Sequence, residues 1–187
     1  MKIAVKKYSD DELYSLLKDP QTKEKGFKAL LAQYGRVLYW HIRRIVIGHD
    51  DAEDAVQETS INIWKGIDEF HGNAEQLKSW IYRIATNESL QVLRKRTTFF
   101  QSIDDLGDTL MEELITENPL NTETTERLFQ EALLKLPIQQ RIAFNLRYYD
   151  DMPYEQIAEI TGKKVGTLKT NYHYAVDKIK SYLREQA

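Results

Sequence analysis

The sequence predicts an all-α protein: two small helical domains joined by an acidic linker, with a helix-turn-helix in the C-terminal domain. Three observations predict it. Apolar residues recur at three- and four-residue spacing through most of the chain, which is the period of one helix face. No segment alternates apolar and polar residues as a half-buried strand does. Helix start and stop signals punctuate the apolar runs, and between residues 98 and 121 the periodicity fades into an acidic stretch.

Ser9-Asp10-Asp11-Glu12 reads as a capping box, in which Ser9 caps a helix and Glu12 reaches back from its first turn. That short helix runs to about Lys18 and is stopped by Asp19-Pro20. Phe27, Leu30, Leu31, Tyr34, Leu38, Ile42 and Ile45 form the stripe of a second helix, ending at Gly48 as a C-terminal capping glycine. Asp50 and Glu53 then make a second capping box, opening a helix that continues through Trp64. Its core face is Ala52, Ala55, Val56, Thr59 and Ile63. Opposite lie Asp51, Glu53, Asp54, Gln57 and Glu58, and among these acids project Ile61 and Trp64. Two large apolar groups in an acidic, outward field read as a partner site; burial under a neighbouring helix is the plain alternative.

Phe70-His71-Gly72-Asn73 breaks the pattern, and a fourth helix runs from about Glu75 to Arg96, with Leu77, Trp80, Ile81, Ile84 and Ala85 on one face and Trp80 expected in the core. These elements make a first domain, residues 1–97. The linker, 98–121, contains Gly107, Pro119 and many acids, whose charge would keep it extended. The second domain, 122–187, opens with a helix from Thr122 to Leu136. Pro137 suits the first turn of the next, to about Tyr149. Pro153 opens a third over Tyr154–Thr161, and after Gly162 a last helix runs from Lys164 to about Arg184.

Composition excludes several functions. A chain of 187 residues at 42% hydrophobic content can bury real cores. No run approaches the roughly 18 apolar residues of a membrane span, and the N-terminal stretch lacks the apolar segment and cleavage site of a signal peptide. A cytoplasmic protein without membrane insertion is expected. Without cysteine there are no disulfides, thiolate zinc sites or cysteine nucleophiles. His41, His49, His71 and His173 are scattered without metal spacing, and neither a nucleophile–base set nor a phosphate-binding glycine loop occurs. No catalysis, cofactor or metal is expected.

The formal charge of −3 hides a pattern. From Lys78 to Thr97 five cations stand against one acid, Glu88, and from Gly162 to Ala187 six against two. Between them, Ser102 to Glu131 carries nine acids and one base. Two basic stretches flanking an acidic one suggest nucleic-acid contact at two places.

Ala158, Gly162 and Leu168 have the spacing of a helix-turn-helix: a small residue at the crossing, a glycine in the turn, and an apolar residue inserted against the first helix. Val165, Leu168, Tyr172, Ala175, Val176 and Ile179 would be buried, leaving Thr167, Thr170, Asn171, Tyr174 and Lys178 outward. That face is polar and uncharged at its start and basic later, which suits a helix whose first turns read bases in a major groove. Asn171 can pair with adenine, Thr167 and Thr170 can offer hydroxyls or methyls, and Lys163, Lys164 and Lys169 would hold phosphate.

On these motifs the chain resembles the extracytoplasmic-function (ECF, group 4) sigma factors of the sigma-70 family. DAEDAVQETSINIW is similar to their second conserved region, and LKSWIYRIATNESLQVLRKR to the third and fourth parts of it. LPIQQRIAFNLRYYDDMPYEQIAEITGKKVGTLKTNYHYAVDKI is similar to their C-terminal promoter-reading domain. The match covers about residues 25–97 and 122–183. The resemblance implies an RNA polymerase sigma factor that binds core polymerase, at the large-subunit clamp helices and flap, and directs initiation at specific promoters. Residues 1–97 would then be the region 2 domain and 122–187 the region 4 domain reading the minus-thirty-five element.

Asp54, Gln57, Glu58, Ile61 and Trp64 would dock on the clamp helices. The fourth helix, with the Phe70–Gln76 loop, would open and read the minus-ten element. There Asn87 would help to hold a flipped base, and Arg83, Arg94, Lys95 and Arg96 would grip backbone. Melting costs stacking energy, offset by the pocket and by cations along the freed strand. Asp104, Asp105, Asp108, Glu112 and Glu113 would mimic nucleic acid in the polymerase RNA path. The resemblance further implies a monomer when free and an anti-sigma factor as a further partner. Many family members carry Arg where this chain has Asn171 and Tyr174, so no promoter sequence carries over, and the segment before Phe27 matches no family motif. The rival reading is a conventional helix-turn-helix regulator whose N-terminal domain dimerises or senses a ligand.

Overall fold

The structure, a computed structural model, describes residues 7–99 and 124–186. Every helix or strand assigned within them is α-helical: α1 Asp10–Lys18, α2 Lys23–Val46, α3 His49–Gly66, α4 Ala74–Phe99, α5 Thr124–Leu134, α6 Ile138–Tyr148, α7 Tyr154–Thr161 and α8 Val165–Glu185. The linker acids Asp104, Asp105, Asp108, Glu112 and Glu113 lie outside the described residues.

Local chemistry sets most helix ends as the sequence predicts. The Glu12 N–H donates to Ser9 Oγ at 3.2 Å and the Ser9 N–H to the Glu12 carboxylate at 2.8 Å, closing the capping box of α1. Pro153 caps α7, and Gly162 ends it at φ +68, a left-handed backbone that costs glycine nothing. The α2–α3 corner differs from expectation. The residue at positive φ is Ile47 (φ 69), while Gly48 is extended and caps α3. Helix α3 therefore starts at His49, so Asp50 and Glu53 lie inside it and form no capping box. Positive φ is costly for a β-branched residue. Ile47 is buried against the core, and that burial offsets the strain.

Helices α1 to α4 surround a core that includes Leu13, Leu17, Leu30, Ile42, Ile45, Ala52, Ile63, Leu77, Ile81 and Ala85. The α1–α2 crossing depends on Gly26: a Cβ there would sit 2.8 Å from the Leu16 carbonyl carbon. Gly26→Ala is thus expected to force the two helices apart and to lower unfolding free energy in urea by about 1–3 kcal/mol. An unchanged midpoint would mean the crossing tolerates the methyl. Around α5, α6 and α8 a second core gathers Ala132, Leu133, Leu136, Phe144, Ala175 and Ile179.

The two helical units are docked on each other, an arrangement that nothing in the sequence specifies. Helix α6 meets α2 and α7 meets α4, so that Ile142, Leu146, Met152, Ile157 and Ile160 join the first core. Polar groups cross the seam as well. One Arg44 nitrogen, Nη2, donates to both Asp150 oxygens at 3.0 and 3.1 Å, and the guanidinium lies 4.5 Å from the Tyr149 ring centre. His41 Nδ1 is 3.5 Å from the same carboxylate. Thr86 spends its hydroxyl proton on the Tyr82 carbonyl, so His41 Nε2–H is the donor in the 2.9 Å contact with Thr86 Oγ1. Arg141 donates to the Ile45 carbonyl at 3.1 Å, and burial pushes its guanidinium down to about 10.

Candidate functional site

Helix α3 turns Ala52, Ala55, Thr59 and Ile63 into the core, and its 3.6-residue period therefore puts the acidic side outward. Asp54, Gln57 and Glu58 are exposed and Ile61 is partly exposed. Trp64 keeps 39% of its surface open. Its ring packs on the start of α2, with Phe27 at 5.1 Å between ring centres and Lys23 Nζ over the ring, 4.5 Å from its centre. Trp64 is thus available from outside and Ile61 in part, so neither is fully buried under a neighbouring helix.

Helices α3 and α4 and the loop between them frame an open cavity of about 460 Å³ lined by Asn62, Gly66, Glu69, Phe70, His71, Trp80, Ile84, Asn87, Glu88 and Gln91. Trp80, expected in the core, is half-buried and forms a wall of this cavity. Its ring lies 4.8 Å from that of Phe70 at 31°, and Gly66 lets it approach α3, since a Cβ there would sit 3.2 Å from Trp80 Cζ2. Asn87 is exposed at the cavity and also lines a second depression, about 560 Å³, with Leu90, Gln91, Arg94 and Lys95. An aromatic-walled pocket running into a groove edged by cations is what an extruded base and its strand require.

Two other candidates are engaged within the protein. Arg83 donates through Nε (2.8 Å) and Nη2 to the Glu159 carbonyl on α7, so in the docked arrangement it faces the second unit. Arg96 is partly buried and its Nε ion-pairs with Asp51 at 2.5 Å, bracing α4 on α3. Sequence periodicity could not separate an outward cation from one with an acid across the helix crossing.

The segment before Phe27, without a family motif, braces the pocket loop. Lys18 Nζ donates to the carbonyls of Ile67 (3.1 Å), Asp68 (3.1 Å) and Phe70 (2.9 Å), and Tyr14 OH donates to the Gly72 carbonyl at 3.0 Å. In the sequence Lys18 looks like an ordinary solvated lysine at a helix end; only the tertiary fold brings three carbonyls to it. Lys18→Met is expected to weaken binding of single-stranded promoter DNA by the polymerase-bound protein about tenfold while leaving duplex binding by α8 unchanged, since charge-assisted hydrogen bonds contribute about 1.5–3 kcal/mol. Equal loss on both would assign Lys18 to overall stability instead.

In the second unit Leu168 is buried between α7 and α8, and Ala158 lies half-buried at their crossing. Thr167, Thr170, Tyr174 and Lys178 stand exposed along α8, with Lys163, Lys164 and Lys169 exposed at or near its start. Asn171 is only partly exposed, and the Thr170 hydroxyl donates to the Gly166 carbonyl at 3.0 Å. A helix-turn-helix unit beside a unit with an aromatic-walled pocket and an acidic, apolar-studded helix face defines a class, the DNA-reading proteins of transcription initiation.

Comparison with known proteins makes the class specific. The Sigma-70 region 2 family matches residues 30–99 and the Sigma-70 region 4 family residues 126–179. The ECF RNA polymerase sigma factor SigW of Bacillus subtilis is 28% identical over 171 residues, covering 87% of this chain and 91% of that protein. The RNA polymerase sigma factor SigV of the same organism is 28% identical over 170 residues, covering 91% and 98%. Among solved structures, the sigma factor RpoE in complex with the anti-sigma factor NepR from Bartonella quintana is 26% identical with a TM-score of 0.63, covering 86% of this chain and 98% of that one. CnrH in complex with the cytosolic domain of CnrY, at 21% identity and a TM-score of 0.70, covers 95% and 99% and shows the shared fold. The chain belongs to the sigma-70 family of RNA polymerase sigma factors, in its extracytoplasmic-function group. Among the described residues no helix is long and apolar enough to cross a membrane, and no cluster of acids and histidines could hold a metal.

Proposed function

We infer that this sigma factor docks core polymerase through Asp54, Gln57, Glu58, Ile61 and Trp64, opens and reads the minus-ten element with α4 and the pocket at Asn87, and reads the minus-thirty-five element with α8. The observation that carries this reading is the pocket itself. It joins Asn87 to Phe70 and Trp80 beside exposed Arg94 and Lys95, on a unit whose α3 face stays open for a partner. Residues 1–97 and 122–187 act as the two promoter-reading domains, and work at both elements requires the Arg83–Glu159 contact to open, freeing Arg83 for DNA backbone. The protein works in the cytoplasm without catalytic chemistry of its own. The RpoE–NepR complex supports an anti-sigma factor as a further partner, acting by covering the same surfaces.

The two readers of α8 separate by their response to sequence. Asn171→Ala is expected to cost about 1–3 kcal/mol of promoter affinity and to relax preference at one base pair. Lys169→Ala is expected to weaken all sequences about equally and to reduce the salt slope by roughly 0.9. Binding titrations on a panel of single-base promoter variants at several salt concentrations measure both; uniform loss for Asn171→Ala would remove it as a base reader.

A further inference from the structure

The pocket at Asn87 carries an acid where a DNA-binding surface should repel one. Lys78–Thr97 holds five cations and a single carboxylate, and that carboxylate, Glu88, lines the cavity. It is also fixed in place. Asn62 Nδ2 donates to Glu88 Oε1 at 2.9 Å and Gln91 Nε2 donates to the same oxygen at 3.2 Å. Both donors take Oε1, and Oε2 has no hydrogen-bond partner among the described residues. The side chain is partly buried, so its charge is less screened than that of Glu69, the cavity's other acid, which is exposed.

A carboxylate accepts hydrogen bonds and donates none. Held at the side of a base pocket walled by Phe70 and Trp80, it attracts an edge bearing an exocyclic amine and repels one bearing a carbonyl. We propose that Glu88 is a specificity-determining residue of the pocket, selecting a flipped base with an exocyclic amine, cytosine, adenine or guanine, over thymine. The proposal rests on the reading of this cavity as the base pocket and names the chemistry of what it takes.

The test uses the full chain bound to purified core polymerase, with fork-junction promoter DNA whose minus-ten nontemplate strand is single-stranded. Each position is first varied through all four bases. At the position of strongest preference, the amine is then removed: cytosine is replaced by uracil, or adenine or guanine by hypoxanthine. Wild type is expected to prefer the amine-bearing base, with that one exchange weakening binding about tenfold. Glu88→Gln, which can both donate and accept, is expected to bring the ratio to within about twofold while core binding stays unchanged. A purely structural Glu88, tying α3 to α4 through Asn62, would shift both DNAs alike and leave the ratio intact. A preferred thymine, or a ratio untouched by Glu88→Gln, overturns the proposal and leaves the base pocket standing. If no position shows base dependence and Asn87→Ala changes nothing, the pocket reading falls, and the proposal with it.

Discussion

Asp150→Ala is expected to separate the two helical units. The carboxylate follows α6 and is 7% exposed, and in the docked arrangement it is the shared acceptor for Arg44 and the Tyr82 hydroxyl, 3.5 Å away, as well as the neighbour of His41 Nδ1. Removing it leaves the Arg44 guanidinium at the seam with only the Tyr149 ring and solvent. Breaking a buried pair by deleting one partner costs about 3–5 kcal/mol. The lower end applies here, because Arg44 keeps about a fifth of its side chain in water. Tyr82 reports the same contact: burial and the neighbouring Asp150 push its phenol well above the usual tyrosine range, so the variant should bring it back toward that range. With fluorophores on α3 and α8, the distance between units should lengthen and broaden in Asp150→Ala. Asp151→Asn, which removes an exposed charge paired with Arg147 one turn back but keeps a side chain suited to the left-handed backbone at this position (φ 48), serves as the control and should leave the distance unchanged. An unchanged distance in Asp150→Ala would show that apolar contacts through Ile142, Leu146 and Ile157 hold the seam alone.

Trp64→Ala carries the other large expected effect, this time on core binding. A tryptophan at the centre of an interface often contributes 2 kcal/mol or more, so affinity for core polymerase should fall about 30-fold or more. The fold should survive, since the ring is already 39% open and loses only an edge contact with Phe27 and a cation contact with Lys23. Circular dichroism and melting temperature check the second statement, and titration against labelled core enzyme checks the first. Wild-type affinity would remove Trp64 from the docking face and leave it to Asp54, Gln57, Glu58 and Ile61.

Much of the fold was legible because its signals are local. The capping box at Ser9, the glycine at 162 and the apolar stripes of α2, α3 and α8 act through neighbours within a turn or two of sequence. The α2–α3 corner departs from the sequence signal for a related reason: glycine is the usual residue at positive φ, and only the tertiary core explains why buried Ile47 takes that backbone instead. Of the candidate site, the outward faces of α3 and α8 followed from helical period, whereas Asn87 entered only through the resemblance to the family. What was hidden depends on contacts far apart in sequence. Lys18 reaches the carbonyls near residue 70, Arg96 pairs across to Asp51, and Arg83 bonds a helix more than 70 residues away. No periodicity encodes such partners. The same holds for Glu88, which in sequence is one acid among cations and in three dimensions is a fixed acceptor beside an aromatic wall.

The most direct test of the central claim is run-off transcription with purified core RNA polymerase and a library of promoter fragments. The expected result is that the chain binds core, directs initiation from a defined set of promoters, and binds the same duplexes only weakly without polymerase. Tight duplex binding alone at a palindromic site, with no core binding and no initiation from any fragment, would contradict it and support a conventional helix-turn-helix regulator.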